Sequence, residues 1–525
     1  MNMRSACVAF VTVALASAAQ GQAIYHNTPD WVSADTQVST GGALADLDHD
    51  GWLDFIVSNG NDMAQQRLVV YYNQGNGTFP ATPDWQSANI AYHGHLDVAD
   101  VNGDGWLDVA VAHLGEFNTF APIARLYLNN QGTLSATPDW YADVDGNAFG
   151  VAFGDVNNDG RPDLAVATGW AYSPQHPYPN YVYLNVGGTL EASASWASDD
   201  MYHYQGAHWV DADNDGWLDL AFAAAGTRSR VYRNLGGTLE TTASWNITDV
   251  ASQDAIMVAA GDVTGDGRRD LFIADNNQLG GSGRFRQYTG QAGGLFGTTA
   301  SWTYNEGYCS AVALADVNAD GKLDLATGAW WDYTRVFLNT GSGFGTTHSW
   351  RSNVTSVIEK IVFGDIDKNG LRTAQQLYSP VLPGRRLFYL PHQPIQELRA
   401  VVADGVPLAP HQYTFSREFG WVTVGVSVAS TLLVEYTVSS KLDLAVTNWD
   451  DTVGNYVYYN LRMVPGDANC DGHTDFDDIN PFVSLLTGSY PLEFPDCDGD
   501  ITCDFDGDGD VDFDDISPFV NALSG

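Results

Sequence analysis

Followed as alternating hydrophobic and polar positions, the chain is almost entirely short strands. Apolar runs such as DLAVATG and YVYLN last a few residues and stop at Gly, Asn or Asp, too short and too interrupted for helices. One order of events recurs: an alternating strand, an acidic turn, a DLAVATG-type strand, a Tyr-rich strand, a Gly turn and a stretch closing on SW or DW. Four short strands per unit is the content of a propeller blade.

The acidic turn marks the period. LADLDHDGWLD opens at Leu44, VADVNGDGWLD at Val98, FGDVNNDGRPD at Phe153, WVDADNDGWLD at Trp209, AGDVTGDGRRD at Ala260 and LADVNADGKLD at Leu314. With Asp365 of a seventh copy, the first aspartates step by 54, 55, 56, 51, 54 and 49 residues. A fixed period of this kind is the mark of a repeat array, and the predicted fold is a mainly β, seven-bladed propeller over residues 24–462. NTPDWVS at Asn27 has the form of a last strand without its blade, and YVYYNLR at Tyr456 ends a blade that lacks one. The N-terminal strand is therefore expected to complete the seventh blade.

The seventh copy, FGDIDKNGLRTAQ from Phe363, breaks off after Gly370, and its continuation is KLDLAVTNW from Lys441. Residues 371–440, 70 in all, form an insertion into the tip of that hairpin, where insertions do least harm. Its own alternation in ELRAVVADGVPL, HQYTFS, GWVTVGV and TLLVEYTVS predicts a small, dispensable β-domain.

In DxDxDGxxD the side chains at positions 1, 3, 5 and 9 and the carbonyl at 7 converge, with Gly at 6 for the turn. Oxygen-only donors suit calcium rather than a transition metal. The predicted ligands are Asp46, Asp48, Asp50, Trp52 (by its carbonyl) and Asp54; Asp100, Asn102, Asp104 and Asp108; Asp155, Asn157, Asp159 and Asp163; Asp211, Asp213, Asp215 and Asp219. They continue with Asp262, Thr264, Asp266 and Asp270; Asp316, Asn318, Asp320 and Asp324; and Asp365, Asp367, Asn369 and Asp443. Thr264 in place of an acid should weaken the fifth site. These units resemble FG-GAP or VCBS repeats, the calcium-loop blades of integrin α-subunit propellers, and the resemblance implies a calcium-bearing propeller with several ions.

The C-terminal residues 463–525 hold a duplication, GDANCDGHTDFDDINPFV from Gly466 and CDFDGDGDVDFDDISPFV from Cys503. Asp467, Asn469, Asp471, Asp475 and Asp478, then Asp504, Asp506, Asp508, Asp512 and Asp515, occupy EF-type positions 1, 3, 5, 9 and 12. Each loop is followed by one apolar helix. This resembles the duplicated loop-helix of type I dockerins, which implies a cohesin-like receptor, although the partner-facing positions hold Phe476, Asp477, Phe513 and Asp514. Burial is expected for Ile479, Phe482, Ile516 and Phe519, with Phe476 and Phe513 at least partly buried.

Residues 1–23 carry Arg4, an apolar run and small residues before a cut after Ala23, the pattern of a secretory signal, too short to span a membrane. A secreted or cell-surface protein is expected. Cys309 is expected in the core and one disulfide among Cys470, Cys497 and Cys503. The net charge of -41 excludes nucleic acid as a partner. Of 64 acids, 32 stand at the predicted ligand positions, so calcium would offset much of that charge.

If the metal loops share one face, the loops after DLAVATG and after SW emerge on the other. These carry Tyr92, His93, His95, Trp170, Tyr172, Tyr202, His203, Tyr204, Trp330, Trp331, Tyr333, Trp449 and Asp450. Aromatic rings beside polar groups suit a glycan or an extracellular protein. Two function classes compete: a non-catalytic binding or scaffold module, and a secreted polysaccharide lyase or hydrolase using Glu116, Glu306, Asp450 or Asp451 with His93 or His203. No catalytic constellation is legible, and binding is the reading favoured.

Overall fold

The protein, described from a computed structural model, is mainly β. The structure describes residues 24–115, 121–169, 178–341, 343–461, 466–469, 474, 476–487, 502–503, 505, 511–513 and 515–523. Five antiparallel sheets of four strands succeed one another along the repeat region. The first contains Ser39–Ala45, Asp54–Asn59, Leu68–Tyr71 and Trp85–Gln86. The next four open with His93–Ala99, Ala148–Gly154, His203–Val210 and Ala255–Gly261. Beyond them the long strands Asp324–Phe337 and Trp350–Gly364 join the sixth and seventh repeats into one six-stranded sheet, from Cys309–Ala315 at one edge to Trp31–Val32 at the other.

Each opening strand packs on the opening strand of the next sheet, and Trp350–Gly364 packs back on Ser39–Ala45, so the succession returns to its start. This architecture of many small sheets is consistent with a β-propeller. Crowding at the centre explains the small residues of STGGALA and HYQGAHWV. A Cβ on Gly41, Gly150 or Gly206 would come within 2.8, 2.5 or 2.8 Å of the neighbouring opening strand's backbone. The SW and DW motifs have a matching role at the rim. Trp31, Trp140, Trp196, Trp245 and Trp350 set their rings edge-on to Tyr71, Tyr183, Tyr232, Tyr288 and Tyr458, with centroids 5.4, 5.0, 5.3, 5.6 and 5.2 Å apart. Such geometry adds to burial.

The N-terminal strand does complete the last sheet: Trp31 and Val32 pair antiparallel with Val457 and Tyr456. The interrupted loop is also rejoined in space. Phe363 and Gly364 pair with Leu444 and Asp443, and the Ser440 N–H donates to the Gly370 carbonyl at 3.0 Å. The insertion has its own two sheets and its own core around Phe388, Ile395, Val422 and Tyr436. Leu371–Tyr378 pairs along its whole length with Leu432–Ser439.

The insertion does not hang free, as an isolated hairpin-tip domain would. Its Arg386 donates to the Asn158 carbonyl at 3.0 Å, Arg417 to the Leu44 carbonyl at 2.8 Å and Gln393 to the Ala260 carbonyl at 3.3 Å. Tyr389 Oη accepts from the Asp211 N–H at 3.0 Å. At its tip Glu418 pairs with Lys360 at 2.8 Å, and Phe419 sets its ring edge-on to His208. The module thus reaches the acidic loops or opening strands of five of the repeats, which sequence spacing alone does not reveal.

In the C-terminal region two short helices, Ile479–Leu486 and Ile516–Ala522, stack Phe482 on Phe519 at 3.8 Å. The expected burial of Phe482 and Phe519 holds, at 2% and 3% exposure. That of Phe476 and Phe513 does not: they are 79% and 82% exposed, since both precede the helices and neither belongs to the core built on Phe482 and Phe519. Ile479 is exposed too, at 37%, and Ile516 is half-buried. Asp478 accepts from the Ala468 and Asn469 N–H groups, and Asp515 from those of Phe505 and Asp512, so each position-12 acid ties down its own loop. Asp471, Asp475, Asp504, Asp506, Asp508, Asp514, Cys470 and Cys497 lie outside the described residues. Cys309 is a buried free thiol as expected, and Cys503 is a buried free thiol as well.

Candidate functional site

All seven acidic loops share one hydrogen bond. The first carboxylate of each accepts the N–H of the position-6 glycine, from Gly51 to Asp46 through Gly370 to Asp365, at 2.7 to 3.0 Å. This wraps the loop around its own acids, and in the first six the glycine takes a positive φ, the local reason for glycine there; Gly370 of the interrupted loop does not. Three sets bring one oxygen per residue within 4.8 Å of one another: Asp46, Asp48 and Asp50; Asp211, Asp213 and Asp219; Asp365, Asp367 and Asp443. The third shows that the interrupted loop reassembles its acids across the insertion, with Ser439 Oγ donating to Asp365 at 2.7 Å.

The last aspartate of each loop does double duty. Asp54, Asp108, Asp163, Asp219, Asp324 and Asp443 each accept from the backbone N–H of an asparagine ending the Tyr-rich strand, at 2.7 to 3.0 Å. That asparagine's Nδ2 then donates to a carbonyl in the preceding repeat. Asn73 reaches Ile366, Asn129 Leu47, Asn185 Val101, Asn234 Val156, Asn339 Val263 and Asn460 Val317, at 2.7 to 3.0 Å. Buried polar groups of this kind need their partners, so the asparagine latches one repeat to the next. The final Asn of YLN-type strands is the signal for it, and the metal motif alone misses it.

The closing acid of each loop is buried and crowded by like charge. Burial pushes the Asp54 carboxyl up to about 8 and those of Asp108 and Asp324 to about 7. Asp163, Asp219 and Asp443 are also raised by burial, with neighbouring loop acids adding to it. Among the described residues, buried Asp46 Oδ1, Asp270 Oδ2, Asp365 Oδ1 and Asn369 Oδ1 have no hydrogen-bond donor. Orphaned oxygens on converging carboxylates fit a hard divalent cation such as calcium. Where a cationic residue stands at position 7 it pairs with the position-5 acid instead: Arg161 with Asp159 at 2.5 Å, Lys322 with Asp320 at 3.0 Å, and Arg268 with Asp266.

The aromatic positions divide. Tyr92, His93, His95 and Tyr204 are buried in packing and do not form a ligand face. His93 Nδ1 lies 2.7 Å from the Asn59 carbonyl, and His95 sets its ring edge-on to Phe149. Burial holds both histidines down to about 3, so they are neutral. Tyr202 lies under Arg230, and Tyr333 under Arg351. Trp170, Tyr172 and Glu116 lie outside the described residues. The structure brings Trp330, Trp331, Trp449, Asp450 and Asp451 together around an open cavity of about 660 Å³. Below it the buried Glu359 accepts from Trp330 Nε1 at 2.7 Å and is pushed up to about 8 by burial. Glu306 is elsewhere, ion-paired to Arg335 at 2.6 Å. His203 is half-buried.

A family model described as FG-GAP-like repeat matches residues 46–111, 118–166, 211–273 and 262–327. The chain carries FG-GAP-like repeats. Three of the four matches begin at the first aspartate of a loop, Asp46, Asp211 or Asp262. The chain is similar to Cartilage acidic protein 1 of Xenopus tropicalis, 23% identical over 340 residues, covering 54% of this chain and 48% of that protein. It is similar to Cartilage acidic protein 1 of Mus musculus, 23% identical over 320 residues, covering 55% of this chain and 48% of that protein. The chain thus spans about half the length of these curated relatives. Among the described residues no helix is long and apolar enough to cross a membrane.

Proposed function

We propose that this FG-GAP repeat protein is a calcium-loaded, seven-bladed propeller, secreted or displayed at the cell surface, that binds a glycan or extracellular protein without catalysis. The observation that carries the reading is the repeated loop, with the same bond from the position-6 glycine N–H to the first acid in all seven copies and, among the described residues, buried oxygens lacking donors in the first, fifth and seventh. Calcium bound there would screen the clustered acids and make folding depend on the metal. The Trp330, Trp331 and Trp449 cavity supports a ligand face built from flat rings with carboxylates at the rim. In the C-terminal region the exposed Phe476 and Phe513 support an attachment role for the duplicated loop-helix.

The experiment is calcium titration by calorimetry together with a glycan and matrix-protein array, run with calcium and with chelator, and product analysis on every hit. Calcium-dependent binding without cleavage supports the proposal. New reducing or unsaturated ends would make the protein a polysaccharide-degrading enzyme instead.

A further inference from the structure

A second cavity, of about 780 Å³, lies on the acidic-loop side, where the insertion meets the fifth and sixth repeats. It is large enough for a small ligand. Its walls combine Arg269 and Lys322 of the repeats with Arg372, Gln376, Tyr389 and His392 of the insertion. Three cations on one cavity are unexpected in a chain of 64 acids and 23 basic residues. Neither Arg269 nor Arg372 is ion-paired to a carboxylate among the described residues. Arg269 lies 3.7 Å over the Tyr389 ring, which fixes its plane, and Arg372 is exposed. Burial, and then the charge of Arg372, hold the neighbouring His392 down to about 4.

The acids on this cavity, Asp262, Asp316 and Asp320, all belong to the acidic loops. Their charge cancels the three cations formally, and loop-bound calcium would leave the cavity positive. A planar guanidinium offers paired donors that match a carboxylate, Gln376 and His392 add polar groups that can meet hydroxyls, and Leu323, Leu390 and Val438 complete the wall.

We propose that this cavity binds a uronate-bearing oligosaccharide, its carboxylates held by Arg372 and Arg269 and its ring against the Tyr389 side. The inference rests on the calcium reading and assigns a site that is distinct from the tryptophan cavity.

The test is calorimetry of the full chain with an oligogalacturonate and with its carboxyl-reduced counterpart, at a fixed buffered free calcium, after calcium stoichiometry has been measured separately. The acidic oligomer should bind and the reduced one should not. Arg372→Gln, at an exposed position, should weaken binding roughly tenfold with melting temperature and calcium stoichiometry unchanged, and Lys322→Gln should weaken it less. Calcium uptake with no oligogalacturonate binding would overturn this inference and leave the calcium reading standing. Failure of calcium uptake would overturn the calcium reading first. Equal binding of the reduced oligomer, no effect of Arg372→Gln, or tighter binding of polyglutamate would each overturn a uronate site.

Discussion

The fifth and seventh repeats invert the usual expectation about continuity. The fifth loop is unbroken in sequence yet has lost two parts: Thr264 stands at position 3, and Gly290 stands where the other repeats have the latching asparagine. Asp270 still accepts the Gly290 N–H at 2.9 Å, but no side chain there can reach the preceding repeat. The seventh loop is interrupted by 70 residues and still has an oxygen side chain at every ligand position, Asp365, Asp367, Asn369 (an amide where the other loops have Asp) and Asp443, together with the Asn460 latch to Val317. Completeness of the donor set, not continuity of the chain, makes the joint. The repair of the fifth is also blocked, since a Cβ on Gly290 would lie 2.4 Å from the Arg269 carbonyl.

The largest effect should come from taking away what the seventh repeat gained. Joining Gly370 directly to Lys441 removes Ser439 from Asp365 and leaves Leu44, Asn158 and Ala260 carbonyls without their donors. Water can replace those donors, but the packing of Phe419 on His208 and the Tyr389 bond to Asp211 go as well, so the melting temperature should fall by roughly 10 °C. A deletion variant that melts like the parent in scanning calorimetry would restore the view of the insertion as dispensable. Next in size is Asn460→Ala, which takes the donor from the Val317 carbonyl while Leu442 keeps Tyr25 Oη, and should cost about 2 kcal/mol in urea unfolding. The fifth repeat, lacking that bond already, should show the fastest amide exchange at its junction with the fourth.

A smaller change sharpens the comparison from the other side. Thr264→Asp restores the acid at position 3 of the fifth loop, and calcium affinity there should rise roughly tenfold by calorimetry, since added ligand charge tunes such loops. The smallest effect concerns Glu359, whose carboxyl is raised by burial from 4.5 to about 8. A carboxyl raised in the folded state contributes stability that is full below its unfolded value and lost as pH rises through the folded one. Glu359→Gln keeps an acceptor for Trp330 and should therefore flatten the fall in stability between about pH 4.5 and pH 8, read from melting temperatures across that window.

Much of this was legible because it depends on local spacing. Asp and Gly positions fix the loop, the SW and DW tryptophans mark the closing strands, and Lys441 resumes the broken loop since KLDLAVTNW must pair as KLDLATGAW does. The features that stayed hidden depend on which groups meet across repeats. The Asn73-type latch needs the preceding repeat's carbonyl, and the insertion's grip on the ring rests on single contacts such as Arg417 to Leu44. His93 and His95 look exposed in a loop-like HGH, yet both sit on an opening strand at the crowded centre. Phe476 and Phe513 carry the hydrophobic signal of a core, but the helical stack needs only Phe482 and Phe519.

Anomalous diffraction from crystals grown in calcium tests the central claim most directly. Ion density is expected inside the seventh loop, among Asp365, Asp367 and Asp443, at least as strong as that in the fifth, beside Asp262 and Asp266. Density in the unbroken loops with none in the seventh, at saturating calcium, would contradict it.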